Sequence, residues 1–172
     1  MIYNINGQKI NLKYIFEDAN KAFLEKNKIL FDVKISERTL CGALMIELYE
    51  EIKKYNYIKD VYSVDVEYNK KDVDEKIVNT KKVYCDLIVH KRNNNQEGSN
   101  LICLEMKKSK ANKKAKEEDR KRIKCLTSQK KEYRYKLGIY YEIKFKEKTE
   151  ISSILIEYYK DGKKVGKNSM KF

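Results

Sequence analysis

Proline is absent from this 172-residue chain, only six glycines occur, and a single histidine stands beside four cysteines. No Gly-, Pro- or Ser-rich stretch marks a linker and no internal repeat appears, so the length reads as one domain with a full core. Cys41, Cys85, Cys103 and Cys125 never form a C-x-x-C pair. With one histidine to help them, they do not predict a structural zinc site. Cys85 and Cys103 lie inside apolar runs and read as reduced core thiols. Long apolar segments are missing as well. Met1–Gly7 has no hydrophobic leader, and nothing approaches the roughly 18 apolar residues of a membrane helix. The expectation is a soluble, cytoplasmic protein without a membrane span.

Charge is what the chain has in excess. Lys and Arg number 39 against 26 Asp and Glu, a formal net charge of +13. That surplus favours a polyanionic partner, nucleic acid first and an anionic membrane surface second. The load of Lys, Asn, Ile and Tyr also fits an AT-rich genome. Although 38% of residues are charged, 41% are hydrophobic, which excludes a disordered chain.

Taken in order, residues 10–27 carry Ile15, Ala19, Ala22 and Phe23 at helical spacing. Ser36 is a good N-cap for a helix from Glu37 to about Tyr55, whose stripe is Leu40, Leu44, Leu48 and Ile52. Glu37 then sits in the first turn, where an acid complements the helix dipole. Residues 61–68 alternate as a strand with Asp65 and Glu67 on one face. Residues 69–81 are charged and weakly patterned, and read as a mobile loop. Two apolar runs, 84–90 and 101–108, flank a loop of Asn, Gly and Ser and predict a β-hairpin. Residues 111–130 predict a basic helix, thinly apolar, with Ala115, Ile123 and Leu126 as its buried positions. From Tyr133 to Phe145 every odd position is apolar or aromatic, a strand with one apolar face. Ile151–Tyr159 gives a further strand closed by Asp161-Gly162, and the basic tail that follows reads as loose. The fold class is α/β, a mixed sheet flanked by helices. The single domain, 1–172, divides into an N-terminal helical extension (1–34), a core of about 36–160 and a tail (161–172).

The charges of the hairpin are out of place. Asp86 interrupts the first apolar run, and Glu105 and Lys107 share one face of the second. Folding the hairpin about its loop puts Asp86 opposite Glu105. Burying two carboxylates and an ammonium is costly unless they serve a purpose such as holding a metal. Acid-x-Lys by itself means little, since it occurs seven times in the chain. Only Glu105-Met106-Lys107 closes a strand, faces an Asp across a hairpin and precedes a helix. Glu142-Ile143-Lys144 also falls in a strand, but reads as the polar face of the alternating one.

A helix, three strands, a helix and a strand, with Asp on the second strand and Glu-x-Lys on the third, resemble the PD-(D/E)XK nuclease superfamily over residues 36–145. Glu37-Arg38-Thr39, Val64-Asp65-Val66-Glu67-Tyr68-Asn69 and Asp86-Leu87-Ile88-Val89-His90-Lys91-Arg92 resemble segments of uncharacterised bacterial members. The resemblance implies a restriction-endonuclease-like αβββαβ core and hydrolysis of phosphodiester bonds, of DNA before RNA. Asp86 and Glu105, with a backbone carbonyl of the third strand, would ligate Mg²⁺, with Mn²⁺ as a substitute. Lys107 would orient or deprotonate the attacking water, or stabilise the developing charge. Glu37 would be the additional acid at the helix start, binding the metal or supporting its ligands. Two positions depart from the pattern: Cys85 stands where the superfamily has a proline that shapes backbone, and Gly42 where relatives often have a histidine.

Around this set, Arg38, Lys108, Arg122 and Lys124 are candidates for phosphate contacts. His90 shares a face with Asp86 but lies four residues along the strand, about 13 Å away, too far for the same ion. A position near the hairpin loop, or plain exposure, is expected of it. Asp65 and Glu67 either feed the site or belong to a solvated face. Two other readings remain: a non-catalytic nucleic-acid-binding module, and an interaction component of a larger defence or mobile-element assembly. A homodimer or a partner subunit is compatible with any of them.

Overall fold

Alternation from Leu137 onward puts Leu137, Ile139, Tyr141 and Ile143 on one side of a strand, and the central sheet is built around it. The computed structural model describes the chain apart from residues 6, 32–34, 69, 72, 73, 76, 79, 80, 83, 84, 93, 95, 97 and 147–149. Its elements run β1 (Ile2–Ile5), β2 (Gln8–Asn11), α1 (Leu12–Lys26), α2 (Lys28–Phe31), α3 (Glu37–Lys53), β3 (Ser63–Val66), β4 (Lys70–Lys71), β5 (Asp74–Glu75), β6 (Ile77–Val78) and β7 (Lys81–Lys82). They continue with β8 (Leu87–His90), β9 (Asn100–Lys108), α4 (Lys113–Thr127), β10 (Leu137–Lys146), β11 (Glu150–Lys160) and β12 (Lys163–Lys171).

The fold is mixed α/β, as expected. Six strands form one sheet in the order β12-β11-β10-β9-β8-β3. Among the described residues of this sheet, only β9 and β10 pair in parallel, and α4 provides the crossover between them. One face of the sheet, with Leu87, Val89, Leu104, Met106 and Ile139, packs against α1 and α3 through Phe16, Phe23, Leu40, Leu44 and Leu48. On the other face, Leu126 of α4 packs with Ile88, Cys103 and Tyr135, and Ile123 packs with Tyr140 and Tyr159. Because both faces are covered, β8 is buried at every residue and β9 at all but its ends.

The N-cap of α3 is Ser36, whose Oγ accepts the Thr39 N–H at 3.1 Å. The structure differs from the sequence reading at several elements. The N-terminal segment begins with the hairpin β1–β2, not with helix, and α1 starts only after its cap, Asn11. Within 69–81, read as a loop, β4 pairs with β5 and β6 with β7, while the remaining positions lie outside the described residues. The tail is not loose. Asp161 (φ 47°) and Gly162 (φ 72°) make the left-handed turn that matches strand twist, so Lys163–Lys171 returns as the edge strand β12. Its lysines blunt that edge against further pairing.

Helix α4 lies so close to β10 that position 138 has no room for a side chain. A Cβ there would collide with Ile123 Cγ2 and come 2.7 Å from Thr127 Cγ2, both on β-branched side chains with little freedom to turn away. Gly138→Ala should therefore destabilise the fold by about 1–3 kcal/mol, read as a lower urea midpoint at unchanged m; an unshifted midpoint would show that α4 can lift without loss.

Candidate active site

Strand β8 pairs with β9 only as far as Leu87 opposite Leu104, whereas β10 accompanies β9 through to Lys108. Residues 105–108 therefore have a strand neighbour on one side alone. The backbone donors on the other side still need partners, and carboxylates supply them. Asp86 Oδ2 accepts the Met106 N–H at 2.7 Å, and Glu37 Oε1 accepts the Lys108 N–H at 2.9 Å. Asp86 stands one residue beyond the ladder, so the register carries it opposite Glu105, as folding the hairpin about its loop implies. Glu37 arrives from across the sheet because Ser36 starts α3 at this point. Glu67, at φ 50°, turns the end of β3 towards the same corner, and its N–H bonds the Asp86 carbonyl at 3.3 Å.

Glu105 and Lys107 leave β9 on the side facing α4. There, Lys107 Nζ lies 3.0 Å from Asp119 Oδ2 and 3.5 Å from Glu37 Oε2, and donates to the Met106 carbonyl at 3.1 Å. Arg122 Nη1 lies 2.8 Å from Glu105 Oε1 and 3.1 Å from Asp119 Oδ1. Two of these contacts are close but badly aligned. Glu105 Oε1 and Asp119 Oδ2 are both buried, and among the described residues neither has a hydrogen bond. Burial above all, then Cys85 and Asp86, pushes the Glu105 carboxyl well above its ordinary pKa. Burial also raises Asp86, against the opposing pull of the Met106 N–H and Lys107. For Lys107 burial acts to lower the pKa, but Asp119, Asp86 and Glu37 outweigh it, and the group stays an ammonium.

Beside this cluster is a cavity of about 120 Å³, lined by Glu37, Arg38, Cys41, Val66, Glu67 and Asp86. Arg38, exposed at its rim, forks onto Glu67, with Nε 2.7 Å from Oε1. Asp86, Glu105, Lys107 and Glu37 thus stand together, as the sequence suggests. The four basic candidates scatter. Arg122 points inward to Glu105, and Lys108 turns its ammonium to the Ile35 carbonyl and over the Phe145 ring. Lys124 is exposed.

Asp119 was missed in the sequence. It lies at i, i+4 and i+7 with Ile123 and Leu126, so an acid interrupts the buried stripe of a helix, and that pattern was the available signal. Ala115, expected on that stripe, is only half-buried. Three further expectations need correction. His90 is not exposed: it is 3% accessible, with Nε2 2.9 Å from Asp65 Oδ2 and its ring against Tyr68. Asp65 is therefore not on a solvated face. Glu142 is not on one either, because α4 covers it and Lys116 Nζ lies 2.8 Å from its Oε1.

Could these groups hold a divalent ion? Among the described residues, no three His, Cys, Asp or Glu side chains converge as a preformed ligand group. The donor chemistry nevertheless fits a hard cation: oxygen ligands, a buried Glu105 Oε1 without a hydrogen bond, and Asp86 beside it. The charges also leave room for one. With all four carboxyls ionised, Glu37, Asp86, Glu105 and Asp119 face Lys107 and Arg122, a formal imbalance of two negative charges. Both oxygens of Glu37 are engaged, by the Lys108 N–H and the Lys107 ammonium, so Glu37 is the outer member. Comparison with known proteins gives no match: no family model, curated protein or solved structure matches this chain.

The second acid–base group, Asp65 with His90 and Arg92, has its own consequence. Burial alone would raise the Asp65 pKa, but hydrogen bonds from His90 and Arg92 outweigh it and hold the carboxyl well below the usual range. A depressed folded-state pKa contributes stability above the unfolded value and loses it as pH falls towards the folded one. Between about pH 5 and pH 2, the urea midpoint of the wild type should drop more than that of Asp65→Asn. Parallel pH curves for the two proteins would show that the contacts at Asp65 contribute nothing.

Proposed function

We propose that this chain is a cytoplasmic, metal-dependent nuclease of the PD-(D/E)XK kind, hydrolysing phosphodiester bonds of DNA in preference to RNA. The observation that carries the reading is the meeting of Asp86, Glu105 and Lys107 where β9 runs on past β8. The element order α3-β3-β8-β9-α4-β10 supports it, as does the net charge of +13, suited to a polyanionic substrate.

Asp86 and Glu105 would hold Mg²⁺, which when bound supplies an acidified water and polarises the phosphoryl oxygen. Lys107, whose acidic neighbours favour its ammonium form, would hold positive charge where negative charge builds on the phosphate. Glu37 fixes the end of β9 through the Lys108 N–H and steadies the Lys107 ammonium. Arg38, at the rim of the cavity, can exchange Glu67 for phosphate oxygens.

A second reading, a nucleic-acid-binding module without catalysis, draws on one observation. The Arg122 guanidinium already lies against Glu105, compensating the carboxylate that a metal would need. Cleavage of duplex, single-stranded and branched DNA with Mg²⁺ separates the two. The nuclease reading expects cleavage by the wild type, a loss on the order of 10²-fold or more in Lys107→Met, and near-complete loss in Asp86→Asn. Binding without cleavage under both Mg²⁺ and Mn²⁺ would favour the module, and full activity in both variants would place any cleavage elsewhere in the chain.

A further inference from the structure

We infer that Arg122 is a place-holding counter-ion: it neutralises Glu105 until a divalent cation takes that carboxylate, and Asp119 keeps it at hand. The inference rests on the metal-dependent reading above.

Glu105 has no freedom to find its own partner. It is 1% exposed, on β9 just past the last pair with β8, and its backbone is flanked by β10. A carboxylate buried in this way needs a cation brought to it. Lys107 is not available, since its ammonium is committed to Asp119, Glu37 and the Met106 carbonyl. Among the described residues, Arg122 is the cation that reaches Glu105, and its two contacts differ in where they lie. Towards Asp119 Oδ1 it makes a hydrogen bond at 3.1 Å; towards Glu105 Oε1 it is closer, at 2.8 Å, but misaligned, and that oxygen has no hydrogen bond. The bond to Asp119 thus lies within α4, and the contact with Glu105 crosses from the helix to the sheet.

That difference sets what can be released. Arg122 and Asp119 are three residues apart on one helix, so their pair survives any withdrawal from Glu105. The Arg122 side chain is 31% exposed, against 1% for Glu105, so of the two partners the arginine is the one nearer solvent. A divalent ion entering beside Asp86 competes with Arg122 for Glu105 Oε1. The resident arginine keeps the fold intact without metal and weakens metal binding by the free energy of its own contact.

Mn²⁺ titration by calorimetry tests this without any cleavage assay, with wild type, Arg122→Gln, Arg122→Lys and Asp86→Asn side by side. Removing the competitor should tighten Mn²⁺ binding about tenfold in Arg122→Gln, with Arg122→Lys between it and the wild type. Mn²⁺ should also raise the Tm of Arg122→Gln more than that of the wild type. If Arg122→Gln does not fold without metal, recovery of its circular dichroism on adding Mn²⁺ supports the proposal, and no recovery counts against it. A folded Arg122→Gln that binds Mn²⁺ no more tightly than wild type overturns the place-holder role while leaving the metal site standing. Mn²⁺ binding that is unaffected by Asp86→Asn, or undetectable in every protein, overturns the metal site and the place-holder together.

Discussion

The two central strands of the hairpin differ in length, and much of the molecule follows from that difference. β9 continues to Lys108 while its ladder with β8 stops at Leu104. Buried backbone donors left without a strand must be satisfied, and here Asp86 and Glu37 do so through the Met106 and Lys108 N–H groups. The same two carboxylates are the ones set around the cluster. Backbone satisfaction and site assembly are thus one event: without the carboxylates the strand end would lose its partners, and without the strand end they would have nothing to orient them.

Helix α4 closes the other side of the cluster, and charge fixes its position. Along its first turns Lys116 meets Glu142, while Arg120 meets Glu157 at 2.7 Å and lies over the Tyr140 ring at 3.9 Å. Tyr140 and Tyr159 bond the same two carboxylates at 3.1 and 2.9 Å. Burying ion pairs contributes little net stability once desolvation is counted, but unlike apolar contacts such pairs have a definite geometry. They hold the helix in the register that brings Asp119 to Lys107 and Arg122 to Glu105. Beyond them, Gly138 lets the helix come down onto β10.

Elements whose signal is local were legible in the sequence. Ser36 and the Leu40–Leu44–Leu48–Ile52 stripe predict α3 to within two residues at its C-terminal end, because capping and amphipathic spacing are properties of a short segment. The hairpin and the facing of Asp86 and Glu105 follow from period-two arithmetic about a loop. The errors share another cause. For Glu142 the sequence suggests a polar strand face, and for His90 and Asp65 exposure is one of two readings, yet each is paired with a residue distant in sequence. The tail was read as loose because it is basic, although Asp161-Gly162 already specified a return strand.

By itself, then, the sequence determined α3, α4 and the central strands, the fold class and the candidates Asp86, Glu105, Lys107 and Glu37, because periodicity, capping and side-chain chemistry reside in short stretches of chain. Only the tertiary structure decided which cation answers which acid. Arg122 was expected to face phosphate and faces Glu105, Asp119 was overlooked and lies between both cations, and Lys107 is held by acids from two different helices. Charge pairing in a buried cluster depends on distances of a few ångströms between elements far apart in the chain, and those distances exist only once the sheet and its two layers have packed.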